Sequence, residues 1–284
     1  LRGIAVTSAL SPGERVGFAA LTVKVAPAGR LAGGVELDNG GSRFTGRYRL
    51  SGNVDWLSPT GRGDSLSARA LVSTNGGVAF ARLAWLTPVG AAGTKLGLAA
   101  SALRYELGSP LFEPLDASGT GQALTLQLLH PLVRSRNNNL FLQGSLDRRR
   151  FDDKVAAIDL RARKTVSSYF TAGVVGDFRD TLGGGGISNY SANLIGCRLE
   201  LKSPDERALD DATYRTRGSY AKLALTASRL QLLPNQHYLY LSALAQIASK
   251  DLDSSEKQSL GGPSGVRGYP APDTPSDSAL IAGW

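Results

Sequence analysis

The sequence predicts an all-β protein, a transmembrane antiparallel β-barrel, and three observations lead to this prediction. Apolar and polar residues alternate with a period of two in blocks of about ten residues, as in strands with one apolar face. From residue 89 onward, short and long connections alternate, as they do at the two ends of an outer-membrane barrel. No apolar run approaches the roughly 20 residues of a membrane helix. The mean hydropathy of -0.11 agrees with half-apolar strands.

The alternation also predicts which way side chains point. In 95–105 and 221–228, leucines occupy every second position and polar residues stand between them. We expect the leucines to meet lipid and the polar residues to meet the lumen. The lipid-facing set is Leu96, Leu98, Leu223 and Leu225, and the lumen-facing set is Lys95, Lys222 and Thr226.

A cluster of arginines on one predicted strand, 42–56, indicates the nature of the lumen. Arg43, Arg47 and Arg49 alternate with apolar residues. An arginine that faces lipid at the bilayer midplane costs about 2–4 kcal/mol. We therefore expect these three side chains to face a polar lumen, where they explain part of the net charge of +8. A nucleic-acid partner is not needed to account for that charge.

The pattern gives about eleven strands and the start of a twelfth near Ala279. They are 30–38, 42–56, 65–74, 77–88, 94–106, 120–133, 139–151, 164–178, 187–201, 219–232 and 236–249. Bacterial barrels have even strand numbers and must close. We therefore expect the chain to be a fragment of a longer barrel protein, cut in strand twelve. Short strands at 3–7 and 18–25 are expected to end a separate small domain.

Other residues that could carry chemistry form no catalytic or metal-binding pattern. The lone Cys197 cannot form an intrachain disulfide, and His130 and His237 lie outside any metal-ligand spacing. We expect no enzyme activity, no cofactor and no metal. The acidic residues of the loop 202–218 are interpreted as a solvated charge run: Asp205, Glu206, Asp210 and Asp211.

The longest loop contains the most informative motif. Residues 259–270 read SLGGPSGVRGYP, and Val266, Arg267, Gly268 and Tyr269 resemble the VRGY/VRGF signature of the BAM-complex insertase and the TpsB transporters of two-partner secretion. The preceding ASKDLDSSEK, the segment DNGGSRFTG at 38–46 and the turn GRGD at 61–64 are similar to the TpsB version specifically. This resemblance implies that 1–29 end a POTRA domain and that 30–284 begin a sixteen-stranded barrel.

The resemblance also implies a function and an anchor. It implies an outer-membrane translocator that captures an unfolded exoprotein in the periplasm through its POTRA domains and secretes it through the barrel. The signature loop would fold back into the lumen, where Arg267 would bind a carboxylate on a strand beyond Trp284. Gly268 would allow close backbone approach, and Tyr269 would pack beside it. The implied partners are the exoprotein and outer-membrane lipid.

Three other functions remain open from the sequence. The first is an insertase that assembles other barrels, the second a porin-like channel, and the third a soluble β-sandwich that binds a ligand. The DNGGS and SSEK details favour translocation over insertion, and a porin has no need of the VRGY signature.

Overall fold

The computed structural model describes residues 3–27, 29–42, 44–108, 117–155, 163–261, 265–266 and 275–284. Most of the described residues form β-strands. The strands are β1 (Ile4–Pro12), β2 (Ala19–Pro27), β3 (Leu31–Asp38), β4 (Arg49–Leu57), β5 (Ser65–Ser73), β6 (Val78–Val89), β7 (Thr94–Glu106), β8 (Ala117–Arg134), β9 (Asn138–Val155), β10 (Arg163–Asp180), β11 (Gly186–Leu201), β12 (Gly218–Leu233), β13 (His237–Ala248), β14 (Gln258–Ser259), β15 (Pro275–Ser276) and β16 (Ala279–Gly283). One helix, α1, spans Pro204–Ala212.

The main sheet has 12 strands, β3 to β13 followed by β16, and each pairs antiparallel with its neighbour in the chain. The prediction of eleven strands and the start of a twelfth is confirmed. Short turns join one end of the strands, at 58–64, 90–93, 135–137, 181–185 and 234–236. Most of the longer connections lie at the other end, which we call the long-loop end. In the described residues, no helix is long and apolar enough to cross a membrane.

The predicted strand 42–56 begins later than expected, at Arg49. Local hydrogen bonds hold the preceding residues in a turn instead. Asp38 Oδ1 accepts from Gly40 N at 2.7 Å, and Ser42 Oγ accepts from Phe44 N at 3.1 Å. These short-range bonds compete with the strand ladder. The described residues 44–48 therefore form no strand despite their alternation, and Arg47 lies in this turn.

The polar loop 202–218 contains a helix that the sequence prediction missed. Ser203 precedes Pro204 at the first helical position, and Asp205 and Glu206 occupy the first turn. Proline at that position and acidic residues at a helix N-terminus are ordinary helix-start signals. The helix has only nine residues, so its periodicity was too short to stand out among the strand patterns.

Side chains alternate between two faces of the main sheet. We call the face that carries Arg149, Tyr169 and Lys222 the inner face and its opposite the outer face. The pairing register places Lys95 on the inner face and the flanking leucines on the outer face, as predicted. On the outer face, large apolar side chains are 53–59% exposed. Monomeric soluble proteins rarely expose a large contiguous apolar surface of this kind. These side chains include Leu83, Leu124, Leu146, Phe170 and Leu194.

Strands β1 and β2 pair only with each other and form a separate two-stranded sheet. The change of sheet falls between Pro27 and Leu31, close to the boundary predicted between 1–29 and 30–284. The assignment of the first segment to a POTRA domain stays a prediction.

Candidate functional site: the loop on the inner face

The candidate site is a loop that starts directly after β13 and whose described residues lie along the inner face. We call residues 249–278 the inner loop. Ser249 N donates to Ala221 O at 2.9 Å, so the chain stays against β12 as β13 ends. Leu252, which is 1% exposed, then packs on an apolar cluster of three adjacent strands. The cluster consists of Tyr169, Cys197 and Tyr220.

A buried carboxylate fixes the first turn of the inner loop to the sheet. Glu256 Oε1 accepts from Arg149 Nη1 at 2.9 Å and from Tyr169 OH at 2.7 Å. Its other oxygen accepts from Lys222 Nζ at 2.8 Å, and its carbonyl accepts from Gln246 Nε2 at 3.2 Å. The Glu256 and Lys222 side chains are only 5% and 10% exposed. Four strands, β9, β10, β12 and β13, therefore bind one loop residue.

The geometry around Glu256 is that of a compensated buried charge. Arg149 also stacks on Tyr169, with its guanidinium carbon 4.2 Å from the ring centroid. A buried carboxylate is tolerated only where charged and polar partners replace its water. Removing either side of such a cluster leaves an uncompensated charge, so the cluster holds the loop in one position.

A second ion pair lies next to the first. Asp253 pairs with Arg163 at the start of β10. The same carboxylate accepts from Ser255 N at 3.1 Å and caps the single 3-10 turn Ser254–Glu256. Asp253 thereby shapes the turn that presents Glu256 to the sheet.

The returning half of the inner loop closes its base. Asp277 Oδ1 accepts from Leu252 N at 2.7 Å and lies 3.3 Å from Lys257 Nζ. Gln246 bridges the two halves, since its amide donates to Glu256 O and to Asp277 O. Strands β14 and β15 pair just beyond this point. The base of the inner loop is therefore a closed stem bound to the sheet.

The described part of the signature lies deeper along the inner face. Val266 N donates to Leu260 O at 2.7 Å. Gly265 and Val266 line a cavity together with inner-face side chains of seven strands, β8 to β13 and β16. These include Phe141, Val175, Thr226 and Leu244. The loop thus extends from the long-loop end toward the middle of the sheet.

The remaining predicted site residues are only partly described. Arg43, Arg267, Gly268 and Tyr269 lie outside the described residues. Arg49 pairs in register with Ser73 on the inner face, and its Nη2 lies 2.7 Å from Asp38 Oδ1. Arg47 is exposed in the turn before β4. The lumen-facing role of the three arginines and the anchoring role of Arg267 stay predictions.

The acidic run in the long loop is partly structural rather than wholly solvated. Asp210 accepts from Thr216 N at 2.8 Å, from Thr216 Oγ1 at 2.7 Å and from Arg217 N at 2.9 Å. Burial raises the pKa of the Asp210 carboxyl, but these hydrogen bonds lower the pKa by more, so the net shift is downward. Asp210 fixes the chain between α1 and β12.

The α1 segment touches the stem of the inner loop. Lys250 Nζ donates to Arg217 O at 2.7 Å. Lys257 Nζ lies 5.9 Å from the Tyr214 ring centroid, within the range of a cation–π contact. The two longest connections are therefore packed together at the long-loop end.

Glu256 is the functional residue that sequence reasoning missed. It lies in the SSEK segment quoted for the family resemblance, but it was not predicted as an anchor. A usable signal existed, because Lys222 was expected in the lumen and would require a nearby carboxylate. The separation of 107 residues between Glu256 and Arg149 gives no local pattern that would reveal the pair.

Comparisons with known proteins define the family. The family model described as "Haemolysin secretion/activation protein ShlB/FhaC/HecB" matches residues 17–280. The heme/hemopexin transporter protein HuxB of Haemophilus influenzae is 30% identical over 262 residues, covering 92% of this chain and 46% of that protein. The outer membrane transporter CdiB of Escherichia coli O6:K15:H31 is 26% identical over 279 residues, covering 95% and 45%.

Solved structures share the fold. CdiB from Escherichia coli matches with a TM-score of 0.74 at 23% identity, covering 98% of this chain and 50% of that chain. BamA from Haemophilus ducreyi matches with a TM-score of 0.55 at 14% identity, covering 94% and 51%. The chain spans about half the length of the curated relatives it matches. It belongs to the ShlB/FhaC/HecB family of haemolysin secretion/activation proteins.

Proposed function

We propose that the full-length protein is an outer-membrane translocator that secretes a partner exoprotein by two-partner secretion. Family membership supports this proposal, as do the names of two relatives, a heme/hemopexin transporter and an outer membrane transporter. The apolar outer face of the main sheet suits contact with lipid. The partner is expected to be an unfolded exoprotein that enters from the periplasm, and the protein acts by transport rather than by catalysis.

The observation that carries the proposal is the stem of the inner loop, held on the inner face by Glu256. A loop inside a lumen narrows the path that an exoprotein would follow. Transport therefore requires that the loop occupy a defined position. The contacts of Glu256 with Arg149, Tyr169 and Lys222 define that position at the stem. Val266 continues along the inner face.

Arg267 is proposed to anchor the tip of the same loop. Its guanidinium would bind a carboxylate on a later strand by bidentate, charge-assisted hydrogen bonds. In the full-length protein, Arg267→Ala should leave the amount of barrel in the outer membrane near normal and strongly reduce the exoprotein in the medium. Arg267→Lys should recover only part of the export, because an ammonium lacks the planar fork. Export by Arg267→Ala at the wild-type rate would remove Arg267 from the mechanism.

The outer-membrane orientation is proposed from the connection lengths. The connections 108–119, 152–164 and 202–218 are expected outside the cell, and the turns 58–64, 89–93 and 134–138 in the periplasm, where residues 1–29 would end a POTRA domain. In a full-length Cys197→Ser background, a cysteine at Ser118 should react with an impermeant reagent on intact cells, while one at Thr60 should not. Equal labelling at both positions contradicts this orientation.

An insertase is the second candidate. The likeness to BamA is limited to the fold at 14% identity. Deleting the gene separates the two functions: a translocator mutant loses its exoprotein from the medium while other barrels assemble normally. A general loss of outer-membrane barrels would instead indicate an insertase.

A further inference from the structure

The outer face of β4 to β9 contains an apolar groove with a cationic end. The groove has a volume of about 1070 Å³. Its floor crosses the strands along one row of register partners, Gly52, Ala70, Ala81 and Ala102. Larger apolar side chains, each 53–54% exposed, stand beside this row: Val54, Leu83 and Leu124.

Arg148 and Arg150 close the groove on β9. Both are exposed, and Arg148 Nη1 donates to Ser168 Oγ at 2.8 Å. Within the described part of the chain, the Arg150 side chain has neither a hydrogen-bond nor an ion-pair partner. Both guanidinium groups are therefore available to an anion that reaches the end of the groove.

The surrounding charges keep this end positive. Arg198 pairs in register with Ser168, the same residue that pairs with Arg148. The carboxylates beside this end are already engaged, Asp152 with Lys164 Nζ at 3.7 Å and Glu200 with Lys202 Nζ at 2.6 Å and Arg198 Nε at 3.8 Å. Across β9, β10 and the end of β11, the three rows that start at Arg148, Arg150 and Asp152 contain five positive charges and two negative ones, a net charge of +3: Arg148, Arg150, Lys164, Arg198 and Lys202 against Asp152 and Glu200.

The groove is inclined relative to the ends of the strands. Counted from the first residue of each strand at the short-turn end, Arg150 is 12 residues from Asn138, and Ala70 is 5 residues from Ser65. With about 3.3 Å per residue and a tilt of about 40°, these counts put Arg150 roughly 30 Å and Ala70 roughly 13 Å from the short turns. Measured from the short turns, the outward-facing apolar band of a barrel is about 25 Å tall. Such a band ends just below Arg150, and Ala70 lies near its middle.

We propose that this groove binds a lipid with a phosphorylated headgroup, its phosphate on Arg148 and Arg150 and one acyl chain along the groove. The proposal rests on the outer-membrane location given under Proposed function. Guanidinium groups bind phosphate through paired, charge-assisted hydrogen bonds. The apolar floor below them packs against the methylene groups of an acyl chain, and this contact buries no polar group. The positive charge at the end of the groove favours an anionic lipid. The height of Arg150 above the short turns places that lipid in the leaflet at the long-loop end.

The test uses the purified full-length protein in detergent and native mass spectrometry. The probe is a bis-phosphorylated glucosamine lipid, compared with the same lipid after dephosphorylation. One variant, Arg148→Gln/Arg150→Gln, removes the cations, and another, Ala81→Leu/Ala102→Leu, fills the floor. Arg62→Gln/Arg136→Gln is the matched control, because these exposed arginines lie in the short turns at the other end of the strands and carry the same charge change.

The wild type and the control should retain the phosphorylated lipid about tenfold better than the dephosphorylated one, as expected from charge-assisted hydrogen bonds. The arginine variant should lose this preference, and the groove-filling variant should lose retention of both lipids. Wild-type retention by either of these variants overturns the proposal. The assay counts lipid bound to folded protein in the absence of an exoprotein. A negative lipid result therefore does not bear on the export experiments, and a failure of export does not bear on the lipid count.

Discussion

Three consecutive arginines on β9 meet opposite environments. Arg149 points to the inner face, where it binds Glu256 and stacks on Tyr169. Arg148 and Arg150 point to the outer face and are exposed at the end of an apolar groove. Because side chains of a strand alternate, identical residues one position apart serve different purposes. The role of each basic residue in such a run therefore depends on which face of the sheet its side chain occupies.

The two faces also differ in how much their charges matter for stability. On the inner face, Glu256 is 5% exposed and has two cationic partners, so loss of the carboxylate leaves both cations without their counter-charge. On the outer face, the Glu200 side chain is 38% exposed and pairs with Lys202, which is 47% exposed. Exposed pairs contribute little because water and salt screen them.

The largest expected effect is therefore the loss of Glu256. In the full-length protein, Glu256→Ala should destabilise the bound position of the inner loop by about 3–5 kcal/mol, the cost of breaking a buried ion cluster. Limited proteolysis of the purified barrel should cut within 249–278 far faster than in the wild type. Glu200→Ala is the matched control and should change the cutting rate little. Equal protection of Glu256→Ala and wild type would show that the carboxylate does not hold the loop.

A smaller effect is expected from the arginines themselves. Arg149→Gln removes one of the donors to Glu256 and the stacking on Tyr169, while Lys222 and the Tyr169 hydroxyl remain. We expect a loss of about 1.5–3 kcal/mol in loop binding, the range for a hydrogen bond to a charged group. Arg148→Gln, one residue away on the outer face, should leave loop protection unchanged. The same proteolysis assay compares the two, and an equal effect of both variants contradicts the assignment of faces.

The smallest effect concerns Asp210 and depends on pH. The folded-state pKa of this carboxyl is lowered, so its stabilising contribution is fully present above the ordinary carboxyl value. That contribution is lost as the pH falls through the lowered folded-state value. The protection factors of the Thr216 and Arg217 amides, which correct for the intrinsic pH dependence of amide exchange, should be high at neutral pH and should fall in strong acid. Asp210→Asn should give low protection factors at every pH, and a wild-type protection factor that does not change with pH would exclude this role.

The strand register could be predicted from the sequence because period-two alternation is a local property. The inward placement of Lys95 and Lys222 follows from it directly. The same local reasoning was wrong at 44–48, where an alternating pattern coincides with side-chain hydrogen bonds that form a turn. Alternation alone cannot distinguish the two cases.

The anchor of the inner loop could not be predicted in the same way. Its partners come from four different strands, and their approach depends on how the whole sheet curves around the loop. The family resemblance directed attention to Arg267, whereas the described contacts of the stem belong to Asp253 and Glu256. Likewise, Asp210 was interpreted as solvated because the turn that buries it follows a helix of only nine residues.

In the assembled barrel, the inner loop is expected to lie against the inner face. Crosslinking between the loop and the sheet tests this placement directly. In full-length Cys197→Ser protein in outer membranes, Val266→Cys is combined with Thr226→Cys on the inner face or with the adjacent Leu225→Cys on the outer face. A short bis-thiol crosslinker should join Val266→Cys to Thr226→Cys efficiently and to Leu225→Cys hardly at all. Failure to join the first pair, or equal yields for both pairs, would contradict the placement of the loop.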